Sequence, residues 1–417
     1  MIKAVKGTRD ILPPASAIWN HVESVAREIF RAYNYHEIRT PILEETALFA
    51  RGVGAETDIV GKEMYTFEDR DGSSLTLRPE ATASVMRAYI EHRLDQMPGV
   101  KKLYYIGPMF RRERQQKGRY RQFYQIGGEA IGSESPLLDA EVIDMSVQIL
   151  KSSGLDGYQV LINSVGCSNC RPAFVELLKQ KLAEAAPKMC VDCQRRAVTN
   201  PLRVLDCKVP EDQPIIETLP SILDHLDPIC ANHFAAVRSV LDHRGIGYEV
   251  RPRLVRGLDY YMRTTFEIIH SGLGSQNTVL AGGRYDGLAE SIGSRIPAPG
   301  VGFSMGEDRL VMSVEGSLSE TESPLVIVTF TEGEGTRNAA ISAAAELRCA
   351  GIRTEVSEGK LKKVFEVANK LNARIAVICG ENEVASGTLS LKDLVKQEQW
   401  TVASSELLDQ VKKCLNK

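Results

Sequence analysis

The sequence contains no run of the roughly 18 consecutive apolar residues that a membrane-spanning helix needs. Its opening residues, MIKAVKGTRDILPP, lack the apolar core of a secretory signal. Nor is there an excess of positive charge: the net charge is −3 and the pI is near 6.2. That balance argues against a protein coated with nucleic acid, but not against a local basic site. No internal repeat and no low-complexity run is present, which sets repeat arrays aside. What remains is a chain 43% hydrophobic and 25% charged, the composition of a soluble globular protein, expected in the cytoplasm. Its 417 residues exceed one ordinary domain, so two or three are expected.

The most informative stretch is residues 107–129, GPMFRRERQQKGRYRQFYQIGGE. Apolar segments at 103–110 and 123–126 flank a loop with six basic residues (Arg111, Arg112, Arg114, Lys117, Arg119, Arg121) and one acidic residue, Glu113. A charge run is commonly a solvated face. Here the flanking strands would pin the base of the loop and leave its tip free, which suits a polyanion: fixed arginines grip phosphate bidentately and mobile ones reach further. Phe123 follows at once, as a platform on which a base could stack. Gln125, Gly127 and Glu129 then alternate with strand period, so the polar pair shares a face. Arginine, aromatic and acid side by side describe a site for a nucleotide and a small cationic or hydrogen-bonding ligand.

Five of the nine cysteines fall between Cys167 and Cys207. Four form Cys167-x-x-Cys170 and Cys190-x-x-Cys193, with 19 residues between the pairs. That spacing fits one four-thiolate zinc site, structural rather than catalytic because no His or Glu stands nearby to hold an activated water. Cys207 is a spare thiol able to replace one of the four. Disulfides are the weaker reading in a reducing compartment.

Along the chain, residues 15–34 read as an amphipathic helix with Ile18, Val22, Val25 and Ile29 on one face, ended by Asn34. A strand stopped by Pro41, a hairpin turning at Asp71-Gly72 and a helix after Pro79 follow. From Cys167 to about Tyr248 the texture becomes helix-rich, as if inserted into a sheet-based domain. Residues 316–323 read as a linker. Beyond it, strand and helix patterns alternate as in a small α/β domain with parallel pairing. There Lys360, Lys362, Lys363, Lys370 and Arg374 read first as a solvated helix face, with nucleic acid as the alternative. The expected division is a catalytic core in two parts, 1–166 and 249–315, an insertion at 167–248, a linker at 316–323 and a C-terminal domain at 324–417.

Six segments, in order, resemble those of class II aminoacyl-tRNA synthetases, specifically the histidyl-tRNA synthetases. They are KGTRDILP (6–13), TLRPEAT (76–82), the basic loop, LVRGLDYYMRTTFE (254–267), GGRYDGL (282–288) and GVGFSMGEDRL (300–310). The resemblance spans essentially the whole chain. It implies an α+β catalytic core with an antiparallel sheet of six or more strands, a helical insertion and a C-terminal α/β anticodon-binding domain. It also implies a homodimer built on the 15–41 helix and strand. Asn34 stands where the family's first motif usually has glycine, and Ala81 departs from the commoner glycine form of TLRPEAT.

The implied activity is ATP- and Mg2+-dependent ligation of L-histidine to the 3′ end of tRNA(His) through an adenylate. By resemblance, Arg111 and Arg256 meet the α-phosphate and are the catalytic pair, and Arg309 meets the γ-phosphate. Glu113 and Arg119 complete the ATP contacts, and Phe123 stacks on adenine. Glu80, Thr82 and Gln125 hold the α-amino end of histidine. Glu129 and Tyr261 read the ring, and Tyr260, Tyr285, Arg111 and Arg256 complete the histidine site. Arg114, Gln116 and Lys117 face the tRNA acceptor end. Two other readings stand beside this one: a non-catalytic histidine-binding regulatory paralogue of a histidine-biosynthetic transferase, and a class II ligase for another amino acid.

Overall fold

The computed structural model describes residues 2–54, 57–114, 118–315 and 324–415. The chain divides into two compact units, Met1–Ser319 and Glu320–Lys417. Strands of the first unit are β1 His36–Glu37, β2 Leu43–Glu45, β3 Tyr65–Glu68, β4 Ser74–Leu77, β5 Lys101–Phe110, β6 Gln122–Ile131, β7 Tyr158–Ser164, β8 Glu249–Val250, β9 Met262–His270, β10 Thr278–Arg284 and β11 Gly300–Gly306. Eight of them form one sheet in the order β1-β5-β6-β11-β10-β9-β7-β8. Neighbours run antiparallel from β5 through to β7. The antiparallel core expected from the sequence is therefore present, and it is closed at each end by a short parallel pair, β1 on β5 and β8 on β7. Strands β2, β4 and β3 make a small separate sheet, with the β3–β4 hairpin turning through Asp71-Gly72.

The first helix, Ala15–Ala32, buries Ile18, Trp19, Val22, Ala26 and Phe30. The expected face is thus rotated: Val25 and Ile29 are half-buried flanks, because Phe30 supplies the large contact by stacking on Tyr104 with ring centroids 4.4 Å apart. Asn34 takes a left-handed φ of 63°. The turn it makes lets the Tyr35 amide reach the Phe30 carbonyl at 2.8 Å and aims the chain at β1.

Between β7 and β8 the described chain is helical, with helices Arg171–Ala185, Val191–Thr199, Gln213–Glu217 and Pro228–His243 joined by short 3-10 turns. Phe174, Leu178, Leu182, Val204, Ile216 and Ile222 form an apolar core of this stretch. The helix Pro228–His243 instead gives Phe234, Val237 and Leu241 to the core under the main sheet.

A charge pair lies wholly inside the first unit. Arg284, the last residue of β10, and Asp139, on helix Pro136–Ser152, have no exposed side-chain surface. The Arg284 Nε donates to both Asp139 oxygens at 3.0 and 3.2 Å, and Nη2 also meets Asp139. Nη1 donates to the Ser133 carbonyl and to Asp286, both at 2.9 Å. His233, from helix Pro228–His243, approaches Asp139 at 2.8 Å. The Arg284 and His233 contacts hold the Asp139 carboxyl below its usual range against the cost of burial.

The second unit contains β12 Leu325–Phe330, β13 Thr354–Glu358, β14 Ala373–Cys379, β15 Thr388–Asp393 and β16 Glu398–Ala403, in the order β13-β12-β14-β15-β16. The first three pair in parallel as expected. The antiparallel hairpin β15–β16 was not foreseen, since its turn is made by Gln397 at φ 59° rather than by glycine. Lys360, Lys362, Lys363 and Lys370 are exposed, whereas Arg374 is turned inward onto Asp393 at 3.0 Å. No helix among the described residues is long and apolar enough to cross a membrane.

Replacing Arg284 by Met should lower the unfolding free energy of the first unit, read from urea titration, by about 3–5 kcal/mol, because Asp139 would lose its main partner. Replacing both, as Arg284→Met with Asp139→Leu, should recover most of that loss.

Candidate functional site

Glu80, Thr82, Arg111, Glu113, Arg119, Phe123, Gln125, Arg256, Tyr260, Tyr261 and Arg309 line one cleft. They come from distant parts of the chain, and the sheet brings them together: β6 carries Phe123 and Gln125, and the segment entering β9 carries Arg256 and the two tyrosines. Arg309 stands in the first turn of helix Glu307–Val314, which leaves β11.

At one end the cleft is polar and recessed. Glu80 is buried, and its two oxygens accept the amides of Thr82 at 2.7 Å and Ala83 at 3.0 Å, so it caps helix Thr82–Glu91. Gln125 is buried, and its Oε1 has no partner among the described residues. A buried acceptor without a donor is costly, on the order of 1–3 kcal/mol, and a ligand's N–H would relieve it. Tyr260 packs against Tyr261 and Tyr285, with ring centroids 4.7 and 5.9 Å apart.

Glu129 and Tyr285 do not line the cleft; they lie one layer behind its wall. The Thr82 hydroxyl donates to Glu129 Oε1 at 2.7 Å and the Tyr285 hydroxyl to Oε2 at 2.5 Å. Space for this carboxylate exists because Gly302 faces it across β6–β11, where a Cβ would overlap Glu129 Oε2. Burial pushes the Glu129 carboxyl up to about 8, although the Thr82 and Tyr285 hydroxyls pull it back.

At the other end cations collect. The base of the 111–121 loop is pinned by the Arg111 amide on the Arg121 carbonyl at 2.9 Å and by the Arg112 amide on the Glu63 carbonyl at 2.7 Å. The Arg111 Nε donates to the Pro79 carbonyl at 2.9 Å, and its guanidinium lies 5.2 Å from the Phe123 ring centroid. Arg119 pairs with Glu113 at 3.1 Å. Arg309 donates to the Thr278 carbonyl at 2.7 Å. Its pKa is drawn down by burial first and then by the Arg119 charge, as expected of a cation in a site short of anions. Arg256 is fixed by an ion pair to Glu267 and lies 5.7 Å from the Tyr261 ring.

Three contributors escaped sequence reading. Glu267 orients Arg256 and accepts the Thr278 hydroxyl at 3.3 Å. Asp308, beside Arg309, accepts the Tyr124 amide at 3.0 Å and pairs with Arg9 at 2.7 Å. Arg9 belongs to the KGTRDILP segment, whose Gly7 carbonyl also takes the Arg121 amide at 2.7 Å. The N-terminal segment therefore straps the root of the basic loop. Arg114 is exposed, while Gln116 and Lys117 lie outside the described residues.

The four-thiolate metal site expected from Cys167, Cys170, Cys190 and Cys193 does not form. Cys167 and Cys170 gather with Asp227 and Cys230, and Cys190 and Cys193 with Cys207 and Asp212. The cause is the spacer: Cys170 precedes the 15-residue helix Arg171–Ala185 and Cys190 follows it. Such a rod holds its ends roughly 22 Å apart at 1.5 Å per residue.

Comparison with known proteins identifies the architecture. The family model described as Histidyl-tRNA synthetase matches residues 7–310, and one described as Anticodon binding domain matches residues 325–414. A protein of Solibacter usitatus named Histidine--tRNA ligase is 67% identical over 98% of this chain and 98% of its own. One of Koribacter versatilis with the same name is 57% identical over 98% of this chain and 95% of its own. The crystal structure of apo histidyl-tRNA synthetase from S. aureus has a TM-score of 0.82 at 36% identity, covering 98% of this chain and 99% of that one.

The raised Glu129 carboxyl sets a pH dependence. Folded protein keeps this proton to about pH 8, whereas the ordinary value is 4.5. In that window the folded state binds more protons than the unfolded one, so stability falls as pH rises. Glu307, pushed up to about 9 by burial, has the same sign. In urea titrations from pH 5 to pH 8, Glu129→Gln should flatten part of the decline, and an unchanged slope would contradict the buried, protonated carboxyl.

Proposed function

The chain belongs to the histidyl-tRNA synthetase family, and we propose how its cleft performs that family's reaction. The activity is that of a class II histidine–tRNA ligase: ATP-dependent attachment of L-histidine to tRNA(His) through a histidyl-adenylate, with release of AMP and pyrophosphate. The observation that carries the assignment is the meeting of Arg111, Arg256 and Arg309 in one cleft whose far end presents the unpaired Gln125 oxygen.

In the first step the histidine carboxylate attacks the α-phosphorus of ATP. The nucleophile is already ionised, so what the chain must supply is alignment and charge. Arg111 and Arg256 meet the negative charge that grows on the α-phosphate oxygens. Both are held before substrate arrives, Arg111 by the Pro79 carbonyl and Arg256 by Glu267, so little reorganisation is left for the transition state. Arg309 receives the γ-phosphate and Phe123 stacks on adenine, with Arg119 and Glu113 completing the nucleotide contacts. The family's reaction uses Mg2+, which neutralises phosphate charge when bound; Glu113, a carboxylate lining this end, would hold it.

At the recessed end, Gln125 and the Thr82 hydroxyl take the α-amino group, and Glu80 shapes their backbone. Tyr261 faces the imidazole. Glu129 acts from behind the wall, fixing the Thr82 and Tyr285 hydroxyls. An amino-acid side chain without matching hydrogen-bonding atoms would leave the polar groups that face the imidazole unpaired, which can discriminate by about 10⁴.

In the second step the 3′-hydroxyl of tRNA attacks the adenylate carbonyl. Arg114 and the loop tip, including Gln116 and Lys117, are assigned to the acceptor end, and the second unit to the anticodon. Its exposed Lys360, Lys362, Lys363 and Lys370 would make that binding weaken as salt rises. The regulatory reading is not favoured, since near-full-length likeness to ligases accompanies all three arginines. A homodimer is supported by exposed Ile42, Leu43 and Phe67 beside the first-motif segment.

Histidine-dependent ATP–pyrophosphate exchange tests these assignments. Arg256→Ala should lower kcat by about 10²–10³, whereas Gln125→Ala should mainly raise the histidine KM. Exchange that is absent in the folded protein, or equally strong with another amino acid, would overturn the reading.

A further inference from the structure

We infer that the helical stretch between β7 and β8 holds two separate tetrahedral zinc ions, each bound by three cysteine thiolates and one aspartate. The first set is Cys167, Cys170, Cys230 and Asp227, and the second is Cys190, Cys193, Cys207 and Asp212. Within each set the candidate ligand atoms all lie within 4.8 Å of one another.

The spacing is that of ligands around one ion. Cys167 and Cys170 sulfurs are 3.8 Å apart, Cys170 and Cys230 sulfurs 3.9 Å, and Cys190 and Cys207 sulfurs 3.9 Å. A tetrahedron with zinc–sulfur bonds of about 2.3 Å has edges of about 3.8 Å. A disulfide would bring two sulfurs to about 2.05 Å, and all nine cysteines are free. The carboxylate edges are tighter: Asp227 lies 3.2 Å from the Cys167 sulfur and Asp212 3.2 Å from the Cys207 sulfur.

The two sets are built alike. In each, the aspartate accepts the amide of one of the cysteines, Cys230 on Asp227 at 2.7 Å and Cys190 on Asp212 at 3.0 Å, and the carboxylate also faces the sulfur of another. In each, backbone amides point at sulfur. The Cys167 amide meets Cys170 at 3.2 Å, the Asn169 amide meets Cys167 at 3.4 Å, and the Val209 amide meets Cys207 at 3.4 Å. Such donors stabilise thiolate more than thiol. Gly166, at φ +68°, makes the turn in the first set, and a Cβ there would stand 2.7 Å from the Cys170 sulfur. Five of the six cysteines are buried. On binding, each thiol loses its proton to solvent and the metal takes the vacated lone pair. The excess negative charge at the first set is met by Arg171, which follows Cys170.

The placement gives the ions a task. The first set joins the start of helix Arg171–Ala185 to the start of helix Pro228–His243, where the chain leaves and rejoins the main sheet. Arg171 donates to the Tyr261 carbonyl at 2.5 Å and to the Val165 carbonyl at 3.1 Å. The clamp is thereby one residue from a lever on the tyrosine that faces the cleft. The second set fastens helix Val191–Thr199 to the turn Pro201–Asp206.

Elemental analysis of the full chain, expressed with zinc and purified reduced without chelator, should find about two zinc ions per chain. Cys230→Ser and Cys207→Ser should each remove one, the double variant both, and Cys349→Ser none. Should a variant not fold, Co2+ added to stripped wild-type protein gives a second reading. Two equivalents should bind with tetrahedral absorption and thiolate charge transfer for three sulfurs each. Zinc under about 0.5 per chain in folded, reduced protein with no Co2+ uptake would overturn the inference. So would a single ion lost alike on mutation of either cysteine pair.

Discussion

A guanidinium and a carboxylate, both without exposed surface, meet at Arg284 and Asp139, and the first unit is arranged around them. Burying two charges is expensive unless every donor finds an acceptor. Here the guanidinium has Asp139, Asp286 and the carbonyls of Ser133 and Ser135, and the carboxylate has His233 as well. That demand leaves β10 only one register, since a one-residue slip would put Arg284 on the opposite face. The next residue is Tyr285, whose hydroxyl must then reach Glu129. The same pair ties helices Pro136–Ser152 and Pro228–His243 to the sheet, so the wall behind the cleft and the exit of the helical stretch share one anchor.

The cleft applies the opposite rule. Its guanidiniums are held by carbonyls, by aromatic faces and by single carboxylates, never saturated as Arg284 is. Arg111 has the Pro79 carbonyl and the Phe123 ring, and Arg309 has the Thr278 carbonyl. Among the described residues, each keeps N–H groups that make no short hydrogen bond, while its orientation is fixed. This is the arrangement in which cations lower the energy of a developing phosphoryl charge without first having to move.

Much of this was legible in the sequence, and the parts that were not share a cause. The segments that line the cleft announced themselves because each packs several chemistry-bearing residues into a few positions, and the strands then carry them to one place. Contacts between single residues far apart left no trace. Arg9 and Asp308 are 299 positions apart, and neither looks unusual where it stands. The cysteines failed for a related reason. Each Cys-x-x-Cys is visible, but its remaining partners are an isolated thiol and an aspartate, at 227 and 230 or at 207 and 212. The visible pairs were therefore matched with each other across a helix that holds them apart. Glu129 was readable as important but not as buried behind Thr82, because strand period gives a face and not a depth.

Cys167 and Asp227 are 60 positions apart in sequence and in contact in space. That contact closes the base of the stretch between them, and further contacts, Arg196 on Asp58 at 3.3 Å and Asn200 on Asp259 at 3.1 Å, hold its flank to the rest of the first unit. A loop closed in that way is insensitive to its own length, since doubling it adds only about 0.6 kcal/mol of closure entropy. Changes of length are therefore tolerated best where the stretch makes none of these contacts, while β7 and β9 keep their places.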